Sequence, residues 1–275
     1  MIFPAIQDWD AAYANSAHIA GGDRWPEAWA APAAAFREQR SGAAGTKLDI
    51  AYGAGPRRQL DLFLPNKHPK GLVVFVHGGY WMALDKSFWS HLARGSLESG
   101  YAVAMPSYTL CPATRIAGIT AEIGMAIAEA AELVEGEVRL TGHSAGGHLV
   151  TRMISATSPL PEHVRSRIVN TVSIAGVHDL RPLRKTAMNA TLQIDAAEAA
   201  AESPALLEPI DGARLTCWVG ASERSEFVRQ SALLANVWRG LGARTAFVQE
   251  PDRHHFNVID GLADPDHVLT RCLLE

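Results

Sequence analysis

Five residues, Gly142-His143-Ser144-Ala145-Gly146, could make a serine chemically active. They lie between a strand-like run, Glu137-Val138-Arg139-Leu140-Thr141, and a helix-like run from Ala145 to Ala156. A Gly-x-Ser-x-Gly turn between strand and helix forces the serine into a strained backbone conformation. Glycine two positions to either side avoids collision with the neighbouring strand and helix. The hydroxyl is then lifted clear of the sheet, and the next N–H, that of Ala145, points into the same space. The pattern also arises by chance, so its weight depends on its companions. A serine hydroxyl at neutral pH needs a general base, an acid to orient that base, and donors for a developing oxyanion.

Candidates for all three occur. The apolar run Leu72-Val73-Val74-Phe75-Val76 is followed by His77-Gly78-Gly79-Tyr80-Trp81. A glycine turn after a strand leaves main-chain N–H groups unshielded, so Gly79 and Tyr80, with Ala145, are the expected oxyanion donors; an ordinary turn is the plainer alternative. His77 is expected to organise this loop by bonding local backbone. Tyr80, Trp81 and His143 are the expected substrate-binding side chains. His143 and His148 flank the serine too closely to act as its base. The base is expected after the last strand, in Pro251-Asp252-Arg253-His254-His255-Phe256-Asn257. His255 is the choice, because a His-Phe pair buries Phe256 and leaves the imidazole facing the nucleophile; His254 is second. The acid is expected in Gly220-Ala221-Ser222-Glu223-Arg224-Ser225-Glu226-Phe227, which contains no aspartate. Glu223 is first and Glu226 second, although both could simply favour the positive first turn of a helix.

The elements that must position these groups are legible from Lys47 onward. Strands are expected at 47–52, 58–64, 72–77, 101–106, 137–141, 168–174, 214–219 and 244–249, and helices at 87–99, 116–134, 145–156, 223–241 and 266–274. The stripe Ile116, Ile119, Ile123, Ile127, Ala130, Leu133 has helical spacing. Gly100, Gly136 and Gly242 follow helix ends, where a left-handed residue is favoured. The first two strands read as an antiparallel pair and the rest as βαβ units. The fold class is therefore α/β, with a mostly parallel eight-stranded sheet flanked by helices. Residues 175–212, between the sixth and seventh strands, are too long for one crossover and read as a small cap. Residues 1–45, Ala-rich with Trp9, Tyr13, Trp25, Trp29 and Phe36, read as an arm that docks on the 46–275 domain or acts as a lid over it.

The chain has 275 residues, 48% hydrophobic and 20% charged, enough for one sizeable core. A net charge of −4 and no basic run argue against nucleic acid and anionic membrane as partners. No apolar run approaches the roughly 20 residues of a membrane span, and the N-terminus lacks the pattern of a secretory signal. Cys111, Cys217 and Cys272 are widely spaced without metal-ligand pattern, as in a reduced cytoplasmic protein. No metal or organic cofactor is expected. The expected partner is a small acyl substrate, and a homodimer is left open.

These residues resemble the α/β-hydrolase superfamily, and within it the kynurenine formamidase (arylformamidase) branch near the hormone-sensitive-lipase-like esterases. The resemblance rests on 77–81, on 142–148, on Ser173-Ile174-Ala175-Gly176-Val177-His178-Asp179-Leu180-Arg181-Pro182, on Ser203-Pro204, on 219–230, and on His255-Phe256. It spans roughly residues 45–260. It implies an α/β-hydrolase fold, Ser144 as nucleophile, His255 as base and the Glu223 position as acid, where the family usually has aspartate. The implied activity is hydrolysis of an aryl formamide or small ester through an acyl-enzyme. A general short-chain carboxylesterase is the alternative. A non-catalytic ligand-binding protein on the same fold is the alternative of another class.

Overall fold

The computed structural model describes residues 5–42 and 45–275. All eight expected strands form: β1 (Thr46–Ala51), β2 (Gln59–Phe63), β3 (Gly71–Val76), β4 (Ala102–Pro106), β5 (Glu137–His143), β6 (Ile168–Ile174), β7 (Arg214–Gly220) and β8 (Arg244–Glu250). They make one sheet in the order β1-β2-β4-β3-β5-β6-β7-β8. β2 is antiparallel to β1 and β4, and the remaining neighbours are parallel. This is the α/β-hydrolase fold. β3 is buried at every position, which explains its unbroken apolar run: helices cover both faces of a central parallel strand. The loops after β3, β5, β7 and β8 all leave from the C-terminal edge of the parallel strands, where ligands bind in open α/β sheets.

Helices Ile116–Leu133, Ala145–Met153, Ser225–Gly240 and Val268–Leu274 form close to expectation. Residues 87–99 do not form one helix. They make two 3₁₀ turns, Lys86–Phe88 and Ser90–Ala93, and then a short helix, Arg94–Glu98. Trp89 breaks the run, because at φ −129° its side chain is directed into the core against Trp29 and His77. The 175–212 segment folds into short helical pieces, Arg181–Lys185, Asn189–Leu192, Ala196–Ala201 and Pro204–Leu206. The Gln230 side chain receives the His178 and Asp179 N–H groups, which anchors this segment to the 225–240 helix. At the N-terminus, the helices Trp9–Tyr13 and Trp25–Gln39 bury Tyr13, Trp29, Ala33 and Phe36. Tyr13 Oη donates to Glu226, and Trp29 Nε1 to the Phe256 carbonyl. No helix among the described residues is long and apolar enough to cross a membrane.

The loop after β3 is tied to the antiparallel edge by an ion cluster in which Lys86 and Asp61 are buried and Asp49 is exposed. Lys86 Nζ lies 2.6 Å from Asp49 Oδ1 and 2.7 Å from the fully buried Asp61 Oδ1. Asp49 sits at φ +56° in the irregularity of the β1–β2 register, and its N–H also reaches Asp61. Burial alone would lower the Lys86 ammonium, but the two carboxylates raise it. Removing the cation leaves the buried Asp61 carboxylate without its counter-charge, held by the Asp49 N–H alone, which costs about 3–5 kcal/mol. Lys86→Met is therefore expected to lower unfolding stability by that amount, measured by urea titration at pH 7. A loss below about 1 kcal/mol would show that water replaces the ammonium.

Candidate active site

Ser144 occupies the turn between β5 and the helix Ala145–Met153 at φ 55°, ψ −114°. Its N–H donates to the Ile174 carbonyl of β6 and its carbonyl accepts from His148, so both sides of the turn are fixed. The helix start packs directly on β3: a Cβ at Gly146 would overlap the Val76 carbonyl, so only glycine fits there. Ser144 is 2% exposed, yet its Oγ makes no hydrogen bond among the described residues. Ser144, His143 and His255 line one cavity of about 560 Å³.

His255 Nδ1 lies 2.7 Å from Glu223 Oε2, and both side chains are buried. The second Glu223 oxygen accepts from the Gly220 N–H at the end of β7. Glu223 precedes the helix, which begins at Ser225, so its side chain turns toward the imidazole instead of following the helix face. Glu226 is engaged elsewhere: Arg229, Tyr13 Oη and Gln230 Nε2 all donate to it. His254 turns to the arm, with its ring edge-on to Trp25 at 5.2 Å. His143 donates from Nε2 to the His255 carbonyl at 2.8 Å, which pins the loop carrying that imidazole. Burial, with His255 adjacent, holds the His143 imidazole well below its ordinary pKa and therefore neutral.

The loop after β3 winds through positive φ at Gly79 (109°), Tyr80 (50°) and Trp81 (58°). A Cβ at Gly79 would overlap the Ala83 carbonyl, so this turn too requires glycine. The N–H groups of Gly79, Tyr80 and Ala145 donate to no other described residue. Gly79 and Tyr80 line the Ser144 cavity. His77 is stacked between Tyr108 at 4.2 Å and Trp89 at 5.5 Å, and its Nδ1–H donates to the Gly78 carbonyl. The expectation for Trp81 is corrected. It is wholly buried edge-on to His148 and is not among the cavity-lining residues. Tyr80 does line the cavity, with its hydroxyl donating to the Tyr13 carbonyl.

The sequence reading missed most of the wall. Met82, Leu84, Trp89, Met188 and Phe256 contribute apolar surface, and the arm adds Tyr13, Asn15 and Trp29. The aromatic content of the arm was the available signal, but it does not distinguish a residue packed under the site from one facing it. Among the described residues no group of His, Cys, Asp or Glu could hold a metal ion.

The BD-FAE family model matches residues 60–206. A kynurenine formamidase of Danio rerio is 26% identical over 239 residues, covering 84% of this chain and 81% of that protein. One from Salmo salar is 28% identical over 251 residues, covering 86% and 84%. A solved structure from Silicibacter sp. TM1040, provisionally described as a thioesterase, has a TM-score of 0.93 and 47% identity over 98% of this chain and 99% of that one. A Pyrobaculum calidifontis esterase, at 16% identity and a TM-score of 0.68 over 92% and 91%, shares the fold.

Two outcomes follow from this geometry. Glu223→Asp shortens the side chain by one methylene and withdraws it from His255 Nδ1; if that contact orients the imidazole, kcat for p-nitrophenyl acetate falls on the order of 10-fold or more. Glu223→Gln, which favours the wrong tautomer, is expected to cost on the order of 10³–10⁴. Glu226→Gln keeps kcat within a few-fold; a larger loss there than at Glu223 would reverse the assignment. The second outcome concerns acid. Burial lowers His77 and His148 to about 4 and His178 to about 3, against 6.5 for the exposed imidazole. Between those values the unfolded chain binds protons that the folded chain refuses. Stability therefore rises with pH across this window and is lost as pH falls from about 6.5 toward 4. Urea midpoints measured at pH 7, 6, 5 and 4.5 should fall progressively, and a flat series would contradict the neutral buried histidines.

Proposed function

This chain belongs to the BD-FAE family and is a hydrolase of the esterase/formamidase type, and we propose that it works through an acyl-enzyme on Ser144. The observation that carries this is the 2.7 Å Glu223–His255 contact beside the cavity that Ser144 and His255 share. In this reading Ser144 Oγ attacks the substrate carbonyl as His255 Nε2 takes its proton. Glu223 holds the Nδ1–H tautomer and stabilises the imidazolium. The N–H groups of Gly79, Tyr80 and Ala145 receive the oxyanion. His255 then protonates the leaving group, and the acyl-enzyme forms as the carbon–leaving-group bond breaks. Water enters, gives its proton to His255 and attacks the acyl carbon, and Ser144 recovers its proton as the acid product leaves. No step calls for a metal or organic cofactor.

The proposed substrate is an aryl formamide or a small aryl ester. Trp29, Tyr80, Trp89 and Phe256 line the cavity, and its volume lies in the range that encloses a small organic molecule. The Danio rerio and Salmo salar relatives, which match over most of their length, are kynurenine formamidases, which supports the formamide. A general short-chain carboxylesterase is the second reading, supported by the shared fold of the Pyrobaculum esterase. Ser144→Ala is expected to lower kcat by about 10⁴–10⁶ and to abolish fluorophosphonate labelling. The wild-type enzyme, assayed on N-formylkynurenine, on p-nitrophenyl esters of increasing chain length and on a short acyl thioester, separates the substrate classes. No turnover of the formamide beside rapid turnover of butyrate esters would leave the carboxylesterase.

A further inference from the structure

In the proposed mechanism the Tyr80 N–H receives the oxyanion, so its direction must be fixed. The residues beside it are held by main chain: the Gly79 carbonyl accepts from Met82 and Ala83, and the Trp81 carbonyl from Cys111. The Tyr80 N–H and carbonyl make no such bond among the described residues, and its φ of 50° is one that L-residues disfavour. Its hydrogen bonds are made by its side chain instead. The hydroxyl donates to the Tyr13 carbonyl of the N-terminal arm at 2.5 Å and accepts from Asn15 Nδ2 at 3.3 Å.

The Tyr13 carbonyl is a prepared acceptor. The Trp9–Tyr13 helix ends there, so this carbonyl has no helical partner. Its place is set by the side chain of the same residue. Tyr13 Oη donates to the buried Glu226 Oε1 at 2.7 Å and accepts from Gln230 Nε2 at 3.1 Å, both on the 225–240 helix. Burial and the Glu226 charge push the Tyr13 phenol upward, so it remains a donor. Arg224, the chain neighbour of Glu223, adds a bond to the Ala11 carbonyl at 2.8 Å. The same helix carries Phe227, whose ring centre lies 4.4 Å from that of His255. We propose that Tyr13 is a positioning residue: anchored to the helix that follows Glu223, its carbonyl holds the Tyr80 hydroxyl, and through it the strained turn that presents the Tyr80 N–H to the oxyanion. The proposal rests on the serine-hydrolase reading, and it makes the arm a fixed part of the site instead of a lid.

Tyr80→Phe removes the donor and keeps the ring. The kcat for p-nitrophenyl acetate is expected to fall about 10-fold with KM within about 3-fold, since an oxyanion donor acts in the transition state. Tyr13→Phe keeps the carbonyl and the Tyr80 hydroxyl but frees the anchor, and is expected to lower kcat about 3- to 10-fold. The double variant should be no slower than Tyr80→Phe, because Tyr13 acts through Tyr80. Two ketones separate positioning from packing. Ser144 Oγ adds to the carbonyl carbon of 1,1,1-trifluoroacetophenone and its proton passes to His255, leaving a tetrahedral oxyanion, whereas acetophenone binds as an unreacted ketone. Tyr80→Phe should weaken inhibition by the trifluoroketone about 10-fold and that by acetophenone less than about 2-fold. Equal losses for the two ketones, additive losses in the double variant, or Tyr13→Phe at the wild-type rate would overturn the proposal. If Tyr13→Phe does not fold, Tyr80→Phe with the ketone pair decides. A wild-type protein that a fluorophosphonate does not label, and that binds both ketones equally, overturns the hydrolase reading and this proposal with it; a labelled wild type with unaffected variants overturns the proposal alone.

Discussion

The site depends on one local conformation: Ser144 held at φ 55°, ψ −114°, outside the backbone regions that L-residues favour. Such a residue costs about 1–3 kcal/mol and persists only where its surroundings over-determine it. Here they do. β5 runs between β3 and β6 in parallel register, the Ser144 N–H is taken by β6, and the helix start is pressed against the Val76 carbonyl of β3. The turn can relax only by moving a helix off the centre of the sheet. The strain holds the hydroxyl at the edge where the loops after β3, β7 and β8 meet, so those loops need only bring groups to a fixed point.

What they bring is shaped by exclusion of water. His77, His143, His148 and His178 are all buried, and burial lowers the proton affinity of each. They act as neutral hydrogen-bonding wedges. His77 donates to Gly78, and His143 to the backbone beneath His255. His143 matters most, because a cation there would oppose any positive charge on the adjacent His255, including the imidazolium of the proposed acyl transfer. Keeping it neutral leaves the buried Glu223 carboxylate as the charge in contact with the base. The arm contributes to the same exclusion, since Tyr13, Asn15 and Trp29 close one side of the cavity.

The sheet was legible because its strands carry period-two or wholly apolar runs bounded by glycine and proline, and the parallel crossovers allow few topologies. That Glu223 would meet His255 beside the cavity of Ser144 could be anticipated, because the chain order of the motif names which loops to search. The segment 87–99 was not, since a helical pattern says nothing of a Trp89 that must turn inward beside His77 and Trp29. Trp81 failed for the reverse reason. Its sequence position beside Tyr80 suggests a shared face, but Trp81 packs wholly buried against His148 while Tyr80 lines the cavity. The contact of Asn15 with Tyr80 had no sequence signal at all, because it joins residues 65 positions apart.

The glutamate at 223 shows how a site absorbs a change of side-chain length. The β7 and β8 loops that carry Glu223 and His255 are joined through main chain. Ala221 N–H donates to the Glu250 carbonyl, Ser222 N–H to the Arg253 carbonyl, and Gly220 packs so closely on Arg253 that a Cβ would overlap its carbonyl. Those contacts set the distance between the two loops without reference to the acid. The 223 side chain must then span what remains, and one of its oxygens is held by the Gly220 N–H while the other meets Nδ1. A longer side chain costs extra rotamer freedom when it is fixed, and this second hydrogen bond offsets that cost. The length of side chain that reaches His255 is thus a property of the stitched loops, and an aspartate would make this contact only where the two loops approach more closely.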